Sequence, residues 1–232
     1  SELCIRASIP TMDNAMFASG LQAFQETLSE AGVTLLVGSS NYDPEQEFEQ
    51  IRSLLSQGVA GLLLIGQARP KKTHNFLAQH SVPHVLAWCF PKSTGHHAVG
   101  FDNQKSGRAI AEHVISYGHR KLGVIAGLRD GNDRAQDRIL GIQDAIDAHP
   151  GVQLLGLQEC KYSFDEAGSA LDDLLSGPVH PTAVICGSDV LAVGAMLRAR
   201  DLGLQIPEDI STTGFDDINL ARVTTPGLTT VR

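Results

Sequence analysis

The chain has 232 residues, 42% hydrophobic and 19% charged, enough apolar material for one large domain or two smaller lobes. Its formal charge of −8, from 18 basic and 26 acidic side chains, has the wrong sign for a domain that neutralises nucleic-acid phosphates unaided. No apolar run approaches the roughly 18–20 residues of a membrane-spanning helix, and no basic, apolar, small-residue start marks a secretion signal. A soluble cytoplasmic protein with no membrane partner is therefore expected.

Strand and helix patterns alternate from the first residues onward. Residues 3–9 read as a strand, and Leu21, Phe24, Leu28 and Ala31 then share one helical face. Residues 34–37 form the next strand. Asp43 and Pro44 begin a helix as N-cap and first helical residue, with Phe48, Ile51 and Leu55 on its apolar face. Residues 61–65 read as a strand buried on both faces, followed by a helix through Phe76 and strands at 85–88 and 99–101. The pattern restarts with a helix at 104–117, a strand at 122–126, and a helix at 135–148 that turns Ile139, Ile142 and Ile146 inward. A strand at 154–158 and a helix at 165–175 come next. Sustained alternation with short loops predicts an α/β fold of parallel sheets covered by helices, and about ten strands in two runs fit two small sheets better than one.

The last fifty residues are the most informative. A buried-type strand at 183–186 runs into Gly187-Ser188-Asp189, where Val190, Val193 and Leu197 open a helix. A second strand, at 210–215, runs into Asp216-Asp217. In open α/β sheets, ligands bind beyond the carboxyl ends of the strands, so these polar clusters mark a candidate binding edge. Arg134 and Arg138 sit near the start of a helix after a Gly- and Asp-rich loop, and a guanidinium there suits a carboxylate or two neighbouring hydroxyls. The alternative is a surface ion pair with Asp130, Asp133 or Asp137. Asp216 suits two ligand hydroxyls or caps the short helix that follows. Ser188 is either a ligand contact or a cap, and Asp189 reads as the cap. Trp88, the single Trp, is either core or a wall of the ligand site.

Cys4, Cys89, Cys160 and Cys186 are widely spaced within or beside apolar runs, which indicates reduced core thiols. Adjacent His96 and His97 make a poor tetrahedral metal site and read as solvated loop residues, while His119 orders a turn. Neither a metal nor a cofactor is expected. The chain lacks a G-x-x-x-x-G-K-[ST] loop, a G-x-G-x-x-G after the first strand, a G-x-S-x-G elbow and an H-E-x-x-H helix, so binding is expected in place of catalysis.

The order of CGSDVLAVGA at 186–195, LGLQIPEDIS at 202–211, GFDD at 214–217 and TTPGLTTV at 224–231 resembles the effector-binding core of the lactose repressor (LacI/GalR) family. The likeness continues through IPTMDNAMFASGLQ at 9–22, GVAGLLLIG at 58–66, VGFDNQKSGR at 99–108, GHRKLGVIAG at 118–127 and RILG at 138–141. It implies two doubly wound parallel-sheet lobes of the periplasmic-binding-protein type I architecture, 1–102 and 103–232, joined by a hinge and holding a ligand between them. It also implies a helix-turn-helix head and hinge helix before the core and further elements after it, so the sequence reads as an excised core.

What the resemblance implies for function is a ligand-responsive transcriptional regulator, a repressor, working as a homodimer. Its core takes a small polar effector such as a sugar, a sugar acid or a similar metabolite, and operator DNA is bound through a domain outside this sequence. The residues implied at the ligand are Met16, Phe17, Trp88, Asn132, Arg134, Arg138, Ser188 and Asp216. Asn14-Ala15-Met16-Phe17 departs from the family's N-P-F-F pattern at its second and third positions. The other readings are a periplasmic sugar-binding protein of a transport system and a sugar-active enzyme.

Overall fold

The computed structural model describes residues 3–91, 95 and 97–232, so His96 lies outside the described residues. Contacts divide the chain into one unit of Ser1–Asp102 with Asp130–Asp133 and a second of Asn103–Arg129 with Arg134–Arg232.

The first unit contains β1 (Cys4–Ile9), α1 (Ala15–Glu30), β2 (Thr34–Ser39), α2 (Pro44–Leu55), β3 (Gly61–Ile65), α3 (Lys71–Gln79), β4 (His84–Ala87) and β5 (His97–Val99). Its five strands are all parallel, in the order β2-β1-β3-β4-β5. The direction of winding reverses beside β1, which places the switch point between β1 and β3. Local chemistry sets the helix starts. Asn14 Oδ1 accepts from the Met16 and Phe17 amides at 2.9 and 3.2 Å, so α1 begins immediately after it. Asp43 caps α2 with Pro44 at its first position, as the sequence predicts.

Burial is unequal on the two faces of this sheet. Ile51, Leu62, Leu64, Leu77, Val82 and Leu86 form a core with α2 and α3 on one face. On the other face a smaller cluster gathers Ile9, Phe17, Ile65 and Ala87. Beyond it, an open apolar groove of about 890 Å³ runs past Phe24, Leu63, Val85, Trp88 and Phe101. The shared face of α1 is covered unevenly. Phe17 is the buried residue of α1, Leu21, Phe24 and Leu28 are half-covered, and Ala31 is an exposed C-cap.

The second unit contains α4 (Asn103–Ser116), β6 (Lys121–Gly127), α5 (Asp133–Asp147), β7 (Gln153–Cys160), α6 (Phe164–Leu175), β8 (Ala183–Cys186), α7 (Asp189–Asp201), β9 (Ser211–Phe215), a 3-10 turn (Asn219–Arg222) and β10 (Thr229–Val231). Its parallel sheet has the order β10-β9-β8-β6-β7, with the switch point between β6 and β8. Alternation along β6 builds two cores. Leu122, Val124 and Ala126 meet α4 and α5, while Ile125 points to the opposite core with α6 and α7. The helix that the spacing of Val190, Val193 and Leu197 predicts is α7, and of these three Val193 is buried. Leu191, Ala192, Ala195 and Ala199 are buried, and Val190 and Leu197 are only half-covered, because small residues let α7 approach α6 and the sheet closely.

The RILG and NQKSG segments have a packing explanation. A Cβ on Gly141 of α5 would overlap the Gln104 carbonyl oxygen and the Arg108 amide nitrogen of α4, and one on Gly107 of α4 would overlap the Arg138 backbone. The two helices therefore touch backbone to backbone, held by reciprocal glycines. Gly141→Ala is expected to lose about 1–3 kcal/mol through overpacking, read as a lower urea midpoint at unchanged slope. A loss below about 0.3 kcal/mol would show that the helices separate freely.

The four cysteines are free thiols, three of them buried, and burial pushes the Cys160 thiol up to about 11. His119 Nδ1 lies 2.9 Å from the Thr182 hydroxyl and stitches its turn to the approach of β8. Among the described residues, no cluster of His, Cys, Asp and Glu has metal-holding geometry, and no helix is long and apolar enough to cross a membrane.

Candidate functional site

The sequence-predicted residues lie at or just beyond the carboxyl ends of strands, four of them in the second unit. Arg134 and Arg138 stand in the first two turns of α5, after β6. Ser188 follows β8, and Asp216 follows β9.

Arg138 is the centre of the group. It is 8% exposed, and its surroundings use its donors on several sides. Nε donates to Asn103 Oδ1 at 2.9 Å, and Nη1 donates to the Gly187 carbonyl at 2.7 Å. Nη2 lies 3.6 Å from Asp216 Oδ1. The guanidinium carbon stands 3.6 Å from the centroid of the Phe215 ring, a stacked cation–π arrangement. The surface ion pair considered for Arg138 is therefore not what forms. This buried fork joins the start of α4, the end of β8 and the end of β9.

Asp216 is costly to keep. Its φ of 106° lies in the left-handed half of the Ramachandran map, where a residue with a Cβ is strained, and Asp217 follows at 47°. Burial is the main influence on its carboxyl and raises it to about 6. The positive charges of Arg138 and Arg134 oppose that rise, and the neighbouring Asp189 adds to it. The helix-capping alternative also fails, since the 3-10 turn has Ile218 at its cap position and no side-chain cap bond.

The cap of α7 is Ser188, one of the two roles its sequence allows, and not Asp189, which the sequence favours. Ser188 Oγ accepts from the Leu191 amide at 3.2 Å and is the N-cap of α7. Asp189 is fully buried as the first residue of the helix. Its Oδ1 accepts from the Thr230 hydroxyl at 2.5 Å, and its Oδ2 accepts from the Ile218 amide at 2.8 Å. Asp189 thus fastens the turn carrying Asp216 to β10, and burial raises its carboxyl above the ordinary range.

The remaining candidates belong to the first unit. Met16 and Phe17 occupy the first turn of α1, after β1, and Trp88 follows β4. Phe17 and Trp88 meet edge to face with centroids 5.4 Å apart. The indole of Trp88 lies over Gly20, where a Cβ would overlap it, and the residue has a left-handed φ of 57°. Trp88 thus packs on α1 and also lines the apolar groove of this unit. Asn132 is 1% exposed and groups with this unit, whereas Arg134, at 6%, groups with the second.

Sequence reasoning missed Asn103 and Phe215. Phe215 was read only as the last residue of a strand. Asn103 was read as the residue after a lobe boundary. Neither role has a local signal, because each depends on Arg138 arriving from a different helix.

Comparison with known proteins places this geometry. Residues 111–232 match the periplasmic binding protein-like domain family. The HTH-type transcriptional repressor PurR of Klebsiella pneumoniae (strain 342) is 32% identical over 221 residues, which cover 94% of this chain and 64% of that protein. The chain thus spans just under two thirds of the length of the curated relatives it matches. Among solved structures, transcription regulator GntR from Chromobacterium violaceum is 31% identical with a TM-score of 0.87, over 98% of this chain and 83% of that one. A LacI family transcriptional regulator from Silicibacter pomeroyi is 25% identical with a TM-score of 0.89, over 99% and 86%. These relatives are transcriptional regulators, not enzymes. The chain belongs to the LacI/GalR family, as the periplasmic-binding-protein-like effector-binding domain of its regulators.

Proposed function

We propose that this domain serves a transcriptional repressor by binding a small, neutral, hydroxyl-rich metabolite, a sugar or sugar derivative, with Asp216 as the principal acceptor. The observation that carries this reading is the cost of Asp216. A buried carboxylate held in a left-handed backbone conformation and titrating near neutrality weakens the fold, and such groups concentrate where a ligand uses them. Arg138 supports a neutral ligand over a sugar acid. Its Nε and Nη1 are engaged by Asn103 and Gly187, so an anion would meet Asp216 without a free guanidinium fork.

Arg134 and Ser188 flank this pair in the same unit, and Met16, Phe17, Trp88 and Asn132 complete the proposed ligand set. Phe17 and Trp88 supply apolar surface suited to the C–H face of a sugar ring. Operator DNA is bound by a helix-turn-helix region of the kind in the relatives' names, consistent with a domain of charge −8 that repels phosphate. The protein acts as a homodimer in the cytoplasm. The effector controls DNA binding by favouring one arrangement of the domain over another, which requires different affinities for the two.

The test is a thermal-shift screen against neutral sugars, sugar acids, sugar phosphates, nucleobases and amino acids, repeated with Asp216→Asn and Phe17→Ala. A neutral sugar present at about a hundred times its Kd is expected to stabilise the domain by about 2.7 kcal/mol, and both substitutions are expected to remove the effect. Stabilisation by another class alone, or stabilisation that survives Asp216→Asn, would overturn the reading.

A further inference from the structure

We propose that Asn103 is a positioning residue that transmits the state of the Arg138–Asp216 pair to the point where the chain passes from one unit to the other. This inference rests on the reading of Arg138 and Asp216 as the ligand-facing pair and assigns a regulatory path to it.

Asn103 is the first residue of the second unit in the chain, directly after Asp102, and opens α4. It is 2% exposed, and its Oδ1 accepts from Arg138 Nε at 2.9 Å. The other end of the same guanidinium faces Asp216 at 3.6 Å, beyond ordinary hydrogen-bond length. A planar, rigid fork cannot move one edge without the other. A ligand hydroxyl drawing Asp216 toward itself, or inserted beside it, therefore shifts the edge of Arg138 that holds Asn103.

The surrounding packing directs that motion. Gly107 of α4 lies against the Arg138 backbone, and Gly141 of α5 lies against Gln104 and Arg108. At these two glycines the helices meet backbone to backbone, and Gln104 Nε2 also donates to Asp144 Oδ2 at 2.7 Å, so the first turn of α4 follows α5 closely. Asp216 has a second connection, since its backbone N–H donates to the Val231 carbonyl of β10 at 2.9 Å. The pair thus reaches the inter-unit crossover through one side-chain hydrogen bond of Arg138, and the C-terminal strand through one backbone hydrogen bond of Asp216.

The coupling can be measured without a known ligand, using Asp216→Asn to alter the pair. Amide hydrogen exchange is followed over 103–110, with 61–65 of β3 as a control for integrity. The substitution is expected to change exchange at 107–110 by at least about threefold when Asn103 is present. In an Asn103→Ala background it is expected to change exchange there by less than about half that, and Asn103→Asp, which keeps the acceptor, is expected to restore the response. An unchanged α4 in Asp216→Asn, or an equal change in both backgrounds, would overturn the proposal. Failure of the ligand reading is separate, because it appears in the thermal-shift screen and leaves these exchange measurements untouched.

Discussion

Replacing Arg138 with Met is expected to lower the unfolding free energy at pH 7.5 by about 3–5 kcal/mol, the range for breaking a buried charged pair from one side. For a chain of this size that is on the order of 10 °C in Tm. Met preserves much of the side-chain volume, so a cavity is not the cause. The loss comes from what is left behind. Asn103 Oδ1 and the Gly187 carbonyl lose buried donors, Phe215 loses its stacked cation, and Asp216 loses its nearest positive charge. Protonation offers Asp216 an escape, so the deficit should shrink as pH falls toward 5. Thermal unfolding at pH 7.5 and 5.0 checks this. A loss under about 1 kcal/mol at pH 7.5 would mean that water replaces the guanidinium at all its partners.

Asp216→Asn should act in the opposite direction, raising stability at pH 7.5 by about 2 kcal/mol, or roughly 4–8 °C. Burial holds the Asp216 carboxyl near 6, above its ordinary value of 3.8, despite the attraction of Arg138 and Arg134. A carboxyl whose folded-state value is raised contributes stability that is fully present below about pH 3.8 and is lost as pH rises through about 6. The native protein therefore carries the cost of an ionised Asp216 at pH 7.5, whereas the Asn variant does not. Its advantage should close as pH falls from about 7 to below about 4. Asn also tolerates a positive φ better than most residues with a Cβ. A variant less stable than the native chain at pH 7.5 would show that attraction to the arginines outweighs burial, and would make Asp216 a structural group. The predicted result, a more stable protein that no longer binds its effector, is the trade expected where function holds a residue against stability.

The strand-and-helix alternation was legible because burial on a parallel sheet writes itself into local pattern. Runs such as Gly61–Ile65 and Ala183–Cys186 are apolar throughout, and Asp43-Pro44 announces a helix start in two residues. Reading failed where the outcome depended on neighbours. Which face of α7 packs most closely was not legible because nearly all of that helix is covered, which erases the contrast on which periodicity relies. The depth of burial along α1 was likewise not legible, because the amphipathic pattern cannot report how fully a face is covered.

For the site, the sequence by itself determined which side chains stand at strand ends, since strand boundaries and polar clusters are local features. It therefore named Ser188 and Asp216, while Arg138 was reached from its place near a helix start and from the family resemblance. Only the tertiary structure decided what each does. Ser188 caps α7, Asp189 clamps β10, and Arg138 closes a junction with Asn103 and Phe215, residues 35 and 77 positions away in the chain. Hydrogen bonds and charge burial depend on distances between segments that a linear pattern does not encode. A strand's apolar run follows from the one environment it enters, but the meaning of a charged residue waits on the partners that folding brings to it.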